Sequence, residues 1–148
     1  MKNTFLLTGT WLIILLVPAW ATTASIGQDK VNVRKAPNLK AEVIFQAHLG
    51  YPVELEKTQG QWVQIKDWQN NEGWVHRSLI NQNIQTAVIV PEEVNVRKGP
   101  GLHYPVVTQV KCGEVYKIFN AKKGWVRIGY YVENQEIGWI RKDLVWGE

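Results

Sequence analysis

Two tryptophans, Trp62 and Trp125, open matching Trp-Val-x-Ile runs, and each has a cation close behind it: Lys66 in the first, Arg127 in the second. In an extended strand, successive side chains point to opposite faces. Val63 and Ile65 then share one face, with Trp62, Gln64 and Lys66 on the other. Val126 and Ile128 likewise oppose Trp125 and Arg127. The aliphatic face is the natural core, so the indoles and cations face outward. An indole next to a cation is binding chemistry, because it offers a flat apolar surface and a charge for an acidic group. Trp62, Lys66, Trp125 and Arg127 are therefore the candidate ligand-binding residues. The alternative is that the indoles cap small cores. Trp74 and Trp139, each followed by a core-type aliphatic, fit that structural role better.

Catalytic constellations are absent from the sequence. Cys112 is the single cysteine, which rules out an internal disulfide and a multi-cysteine zinc site. It stands where the other half of the chain has Leu49, so a small packed or half-buried residue is expected, not a thiol nucleophile. His48, His76 and His103 have no metal-ligand spacing. The pairs Glu92-Glu93 and Glu54/Glu56 have no counterpart elsewhere in the chain. Gly99-Pro100-Gly101 lacks the helix and lysine of a phosphate-binding loop. The expectation is a protein that is not an enzyme, with no cofactor and no metal.

These side chains need elements to hold them, and the composition says which. After Ala21 the chain has 27 Val plus Ile and 12 Ala plus Leu. Branched side chains suit a pleated surface and lose freedom in helices, so an all-β fold is expected. Charged residues are 20% and hydrophobic ones 45%, which excludes intrinsic disorder. The net charge of +4 is spread along the chain, not massed into an arm, which argues against nucleic acid as a partner.

The first 21 residues read as a signal peptide. Lys2 supplies the positive start, Phe5 to Val17 is mostly apolar, Pro18 breaks the run, and Ala19-Trp20-Ala21 fits the small-x-small rule. Cleavage is expected after Ala21, with Ala24 as the alternative site. Phe5 to Ala21 is short for a membrane span, so membrane contact follows only if the leader is retained. The expected location is exported: periplasm or cell envelope.

The rest is a repeat. Val31-Asn32-Val33-Arg34-Lys35 returns as Val94-Asn95-Val96-Arg97-Lys98, 63 residues later. From 31 to 65 this offset gives 13 identities in 35 positions. A two-residue insertion then shifts it to 65, so that Gly73-Trp74 matches Gly138-Trp139. Two copies are too few for a solenoid, so each is expected to bury its own core and fold alone. Short strands alternate with turns: Val94 to Arg97, Val106 to Val110, Val115 to Phe119, then a turn at Ala121 to Gly124 and a hairpin from Trp125 to Ile140. Five strands in so short a copy point to a small closed barrel.

Asn-Val-Arg-x-Gly-Pro-Gly at 95–101, Gly-x-Trp-Val-x-Ile at 60–65, and Gly-Trp-Ile-x-x-x-Leu at 138–144 resemble the bacterial SH3 domain, here in tandem behind a leader. The resemblance implies two SH3-like small β-barrels, at 28–82 and 86–148, with a non-catalytic role. The family often accompanies cell-wall hydrolases, and some members bind peptidoglycan peptides. Neither His76-Arg77-Ser78-Leu79 nor Arg141-Lys142-Asp143-Leu144 carries the Pro and Tyr of a proline-binding groove, so proline-rich peptides are not the expected ligand. Two partners remain: cell-wall peptide or glycan, or a periplasmic protein bound without wall affinity.

Overall fold

The computed structural model describes residues 22–148, so the expected signal peptide, 1–21, lies outside the described residues. The chain is all-β and forms two sheets of seven strands. The first holds β1 (Thr22–Ile26), β2 (Val31–Arg34), β3 (Val43–Ala47), β4 (Pro52–Gln59), β5 (Trp62–Lys66), β6 (Glu72–His76) and β7 (Ile80–Asn81). The second holds β8 (Thr86–Ile89), β9 (Glu93–Arg97), β10 (Val106–Lys111), β11 (Val115–Lys122), β12 (Trp125–Gly129), β13 (Glu136–Arg141) and β14 (Val145–Trp146). The spatial orders are β3-β2-β6-β5-β4-β1-β7 and β10-β9-β13-β12-β11-β8-β14, so the second sheet repeats the first strand for strand. A single turn of 3-10 helix precedes the last strand of each, at Arg77–Leu79 and Lys142–Leu144.

Alternation in the sequence puts the core where it was expected. Val63, Ile65, Val126 and Ile128 are buried, and Trp62, Lys66, Trp125 and Arg127 stand half-buried on the opposite face. Each sheet closes over its own cluster. Val31, Val33, Val53, Ile65 and Val75 centre the first. Val96, Val126, Ile128 and Ile140 centre the second.

One strand went unread and two expectations are corrected. The first sheet begins at Thr22, upstream of residue 28, because β1 pairs with β4 and buries Ala24 and Ile26. Its signal was Thr23-Ala24-x-Ile26, which matches Thr86-Ala87-x-Ile89 at the same offset of 63. The turn expected at Ala121 to Gly124 is shorter: β11 runs to Lys122, and Lys123-Gly124 alone turn the chain. Both have positive φ, 48° and 81°, the geometry of the two-residue hairpin turn whose twist matches its strands. Cys112 is exposed, with Sγ 3.1 Å from the Val90 carbonyl, and is not packed.

The two barrels also touch. Val88 is completely buried yet lies outside the second core, on the face of β8 that approaches β4 of the first barrel. Gly147 sits against Pro52, where an added Cβ would stand 2.5 Å from the proline Cβ. Tyr131 lies over Gly50, where a Cβ would be 3.0 Å from its ring. On the outer face of β1, the buried Ser25 hydroxyl lies 3.0 Å from the Ile84 carbonyl in the connecting segment and 3.3 Å from the Asn81 carbonyl on β7.

Candidate binding grooves

Trp62 starts β5, directly across from His76 on β6. The two rings meet edge to face, with centroids 5.7 Å apart. The His76 ring is held in turn by the Ser78 hydroxyl, 2.8 Å from Nδ1. Leu39, at the tip of the β2–β3 loop, is 77% exposed. With Asn32, Arg34 and Leu79 these residues line a depression of about 220 Å³. Arg34 donates to the Ala41 carbonyl at 2.8 Å and so fixes the loop that carries Leu39.

The second barrel also has a depression at its Trp–Leu pair, but this one opens the other way, over the hairpin tip and the 3-10 turn rather than over the start of the first long loop. Trp125 starts β12 across from Arg141. Leu102, 67% exposed, occupies the place of Leu39. Arg97 donates to the carbonyls of Leu102 and Tyr104, at 3.1 and 2.9 Å, and pins that loop from beneath. The loop tolerates the pin because Gly99 has no Cβ, which would stand 2.5 Å from the Tyr104 ring lying over it. The groove between Trp125 and Leu102 has a volume of about 890 Å³. Its rim is charged. Arg141 makes a two-point contact with Asp143, and Lys142 Nζ lies 3.0 Å from Glu148. Lys123, at the hairpin tip, completes it.

The structure separates the two predicted cations from these grooves. Lys66 is four residues beyond Trp62, which is about 13 Å along a strand at its ordinary rise, and it lines no part of the Trp62 depression. Arg127 is directed to Trp139, its cross-strand partner, with the guanidinium carbon 5.6 Å from the ring centre. Its Nη1 also lies 3.2 Å from Glu136. Lys57 Nζ takes the matching place over Trp74, at 5.8 Å. Trp74 is 8% exposed, so it is a covered structural residue. Leu39, Leu102 and Lys123 went unread in the sequence. The leucines carried a signal, since Leu39 and Leu102 are identical at offset 63 in a turn that buries neither.

One buried carboxylate belongs to the scaffold. Asp67, 2% exposed, accepts from the amides of Gln69 and Asn71, the Asn71 side chain and the Tyr51 hydroxyl. Burial, then the charge of Asp67, push the Tyr51 phenol well above its ordinary value. Burial and Glu114 do the same to Tyr116. Among the described residues no three His, Cys, Asp or Glu side chains gather as a metal site. No helix among them is long and apolar enough to cross a membrane.

The doubled sheet order and the doubled groove agree with a comparison of the sequence against known families: the bacterial SH3 domain matches twice, at residues 29–81 and 92–145. The chain belongs to the bacterial SH3 domain family. Each of its two SH3 domains carries one Trp-walled groove, and β1 and β8 lie just ahead of the matched stretches. A relative in Bacillus subtilis (strain 168) bears the name "Putative N-acetylmuramoyl-L-alanine amidase YrvJ" and is 27% identical over 132 residues. The alignment takes in 82% of this chain and 25% of that protein, so the chain spans about a quarter of its length. Two solved structures from Trichomonas vaginalis are also similar. NlpC2 has a TM-score of 0.38 at 15% identity, covering 87% of this chain and 49% of that one. NlpC1 has a TM-score of 0.38 at 17% identity, covering 93% and 51%.

Proposed function

We propose that this tandem SH3 protein is an exported, non-catalytic module of the cell envelope that binds cell-wall peptidoglycan, by its peptide or its glycan, through the grooves at Trp62 and Trp125. One observation carries the reading. The indole and the exposed leucine recur together in both barrels, while most other outward positions have changed. A leucine more than half exposed on a pinned loop contributes little to its own core, so its repetition points to a ligand. The amidase named among the relatives supports the wall as the setting. The contents of the grooves support binding without catalysis: the carboxylates on the second rim are each engaged by a cation. Export rests on the leader-like first 21 residues.

A second reading, a periplasmic adaptor that binds another protein, draws on a different surface. β3 and β10 are the outer strands of their sheets and expose Val43, Ile44, Val106 and Val107. Such edges can accept an extended segment of a partner.

Sedimentation with purified sacculi across a salt series tests the first reading against the second. Wall binding predicts that the protein pellets with sacculi and that salt weakens, without abolishing, the interaction. A protein that stays in the supernatant at low salt rules the wall reading out.

A further inference from the structure

The two grooves share their apolar walls but differ in charge. Around Trp62 the first barrel places Gly60 at the hairpin tip and the His76 ring against the indole. The second barrel places Lys123 and Arg141 at the corresponding positions. Of the three cations on its rim, Arg141 is engaged by Asp143 and Lys142 by Glu148. That leaves Lys123 as the cation without an ionic partner among the described residues. The backbone fixes where it stands. Lys123 and Gly124 form the tight turn, and the Lys142 amide donates to the Gly124 carbonyl at 2.9 Å, tying the tip to the start of the 3-10 turn. The backbone that carries this ammonium is thus fixed at one end of the groove, whose other charged side chains are each paired.

We propose that the second groove is selective for a carboxylate: it takes an extended peptide ligand whose apolar part lies between Trp125 and Leu102 and whose carboxylate meets Lys123. The first barrel has Gly60 at the position of Lys123, and the charged residues of its own groove, Asp29, Lys30 and Arg34, stand on the other side of its indole. This rests on the wall-binding reading and narrows it to the acidic peptide in preference to the glycan. The cation at the hairpin tip occurs in one barrel only, so the duplicated module presents two different sites and not two equal ones.

The test is a calorimetric titration of the two-barrel protein with a soluble disaccharide–tetrapeptide released from sacculi, and with the same fragment after its carboxyl groups are amidated. An exposed ion pair contributes at most about 1 kcal/mol, so amidation should weaken binding about fivefold. Lys123→Gln should bind both forms equally, at the weaker affinity. Lys123→Arg should keep the preference. The tip is exposed and an added Cβ at the matching Gly60 would meet nothing within 4 Å, so these changes leave the barrel folded. Equal affinity for both fragments in the unmutated protein overturns the proposal, as does a preference that survives Lys123→Gln. If the protein still sediments with sacculi in either case, only the carboxylate assignment falls. If it does not, the wall reading falls with it.

Discussion

Arg127 lies across the Trp139 ring, from the neighbouring strand, with its guanidinium carbon 5.6 Å from the ring centre. In the other barrel the same tryptophan position is served by Lys57 from β4, at 5.8 Å from Trp74. The cation has changed strand and kept its place. Arg127→Ala should therefore lower stability by about 0.5–2 kcal/mol, the range for a half-buried cation–π contact. It should leave sacculus binding unchanged. Urea unfolding and the sedimentation assay, run side by side, check both halves of this statement.

Trp62→Ala and Trp125→Ala should each weaken sacculus binding by roughly 1–3 kcal/mol within their own groove. The double variant should bind at background level. Leu102→Ala separates binding from packing more cleanly, because Leu102 is already exposed. Its thermal unfolding should match the parent while its binding falls. An early-unfolding Leu102→Ala protein would mean that the loop supports the core.

The joint between the barrels sets their stabilities. Separating residues 22–85 from 86–148 uncovers Val88, Pro52 and Gly50 while leaving each core cluster whole. Both halves should fold cooperatively, and both should melt below the intact tandem. Within either barrel, Val63→Ala or Val126→Ala should cost about 1–3 kcal/mol.

The proposed export predicts an N-terminus at Thr22 when the protein recovered from outside the cytoplasm is measured by intact mass. Cleavage after Ala24 would remove Thr22, Thr23 and Ala24, which pair with Leu55, Glu54 and Val53. It would also take a buried side chain from the core.

Alkaline pH should act through the phenols. Tyr51 and Tyr116 are held above their ordinary values by burial first and by a neighbouring carboxylate second. A group whose folded value is raised contributes stability that is complete below its unfolded value, about pH 10. That contribution is lost as the pH climbs towards the folded value. Unfolding midpoints should fall above about pH 10, and Tyr51→Phe should fall less steeply.

The inward faces of β5 and β12 were legible from the sequence because a period of two survives in any strand that is buried on one side. The partners of the outward side chains were not legible. Alternation says which face Lys66 and Arg127 occupy but not which strand lies beside them, and that neighbour took Arg127 to Trp139. Strand β1 was hard to read because its residues directly follow the apolar N-terminal run and its inward alternation spans only Ala24 and Ile26. Lys123 was hidden because its counterpart is Gly60, so nothing in the repeat marks it.

The contact of Gly147 with Pro52 is head-to-tail: different surfaces of the two barrels meet. Such a contact does not close on itself and in principle continues without limit. The residues at the two free faces differ from those at the joint. Gln82 in the first barrel stands where Gly147 does in the second, and Val115 in the second stands where Pro52 does in the first. Gly113, the counterpart of Gly50, is exposed, with nothing within 4 Å of where its Cβ would be. In the terms of assembly, the joint is heterologous, and neither free face carries its half of the glycine–proline pair that makes it.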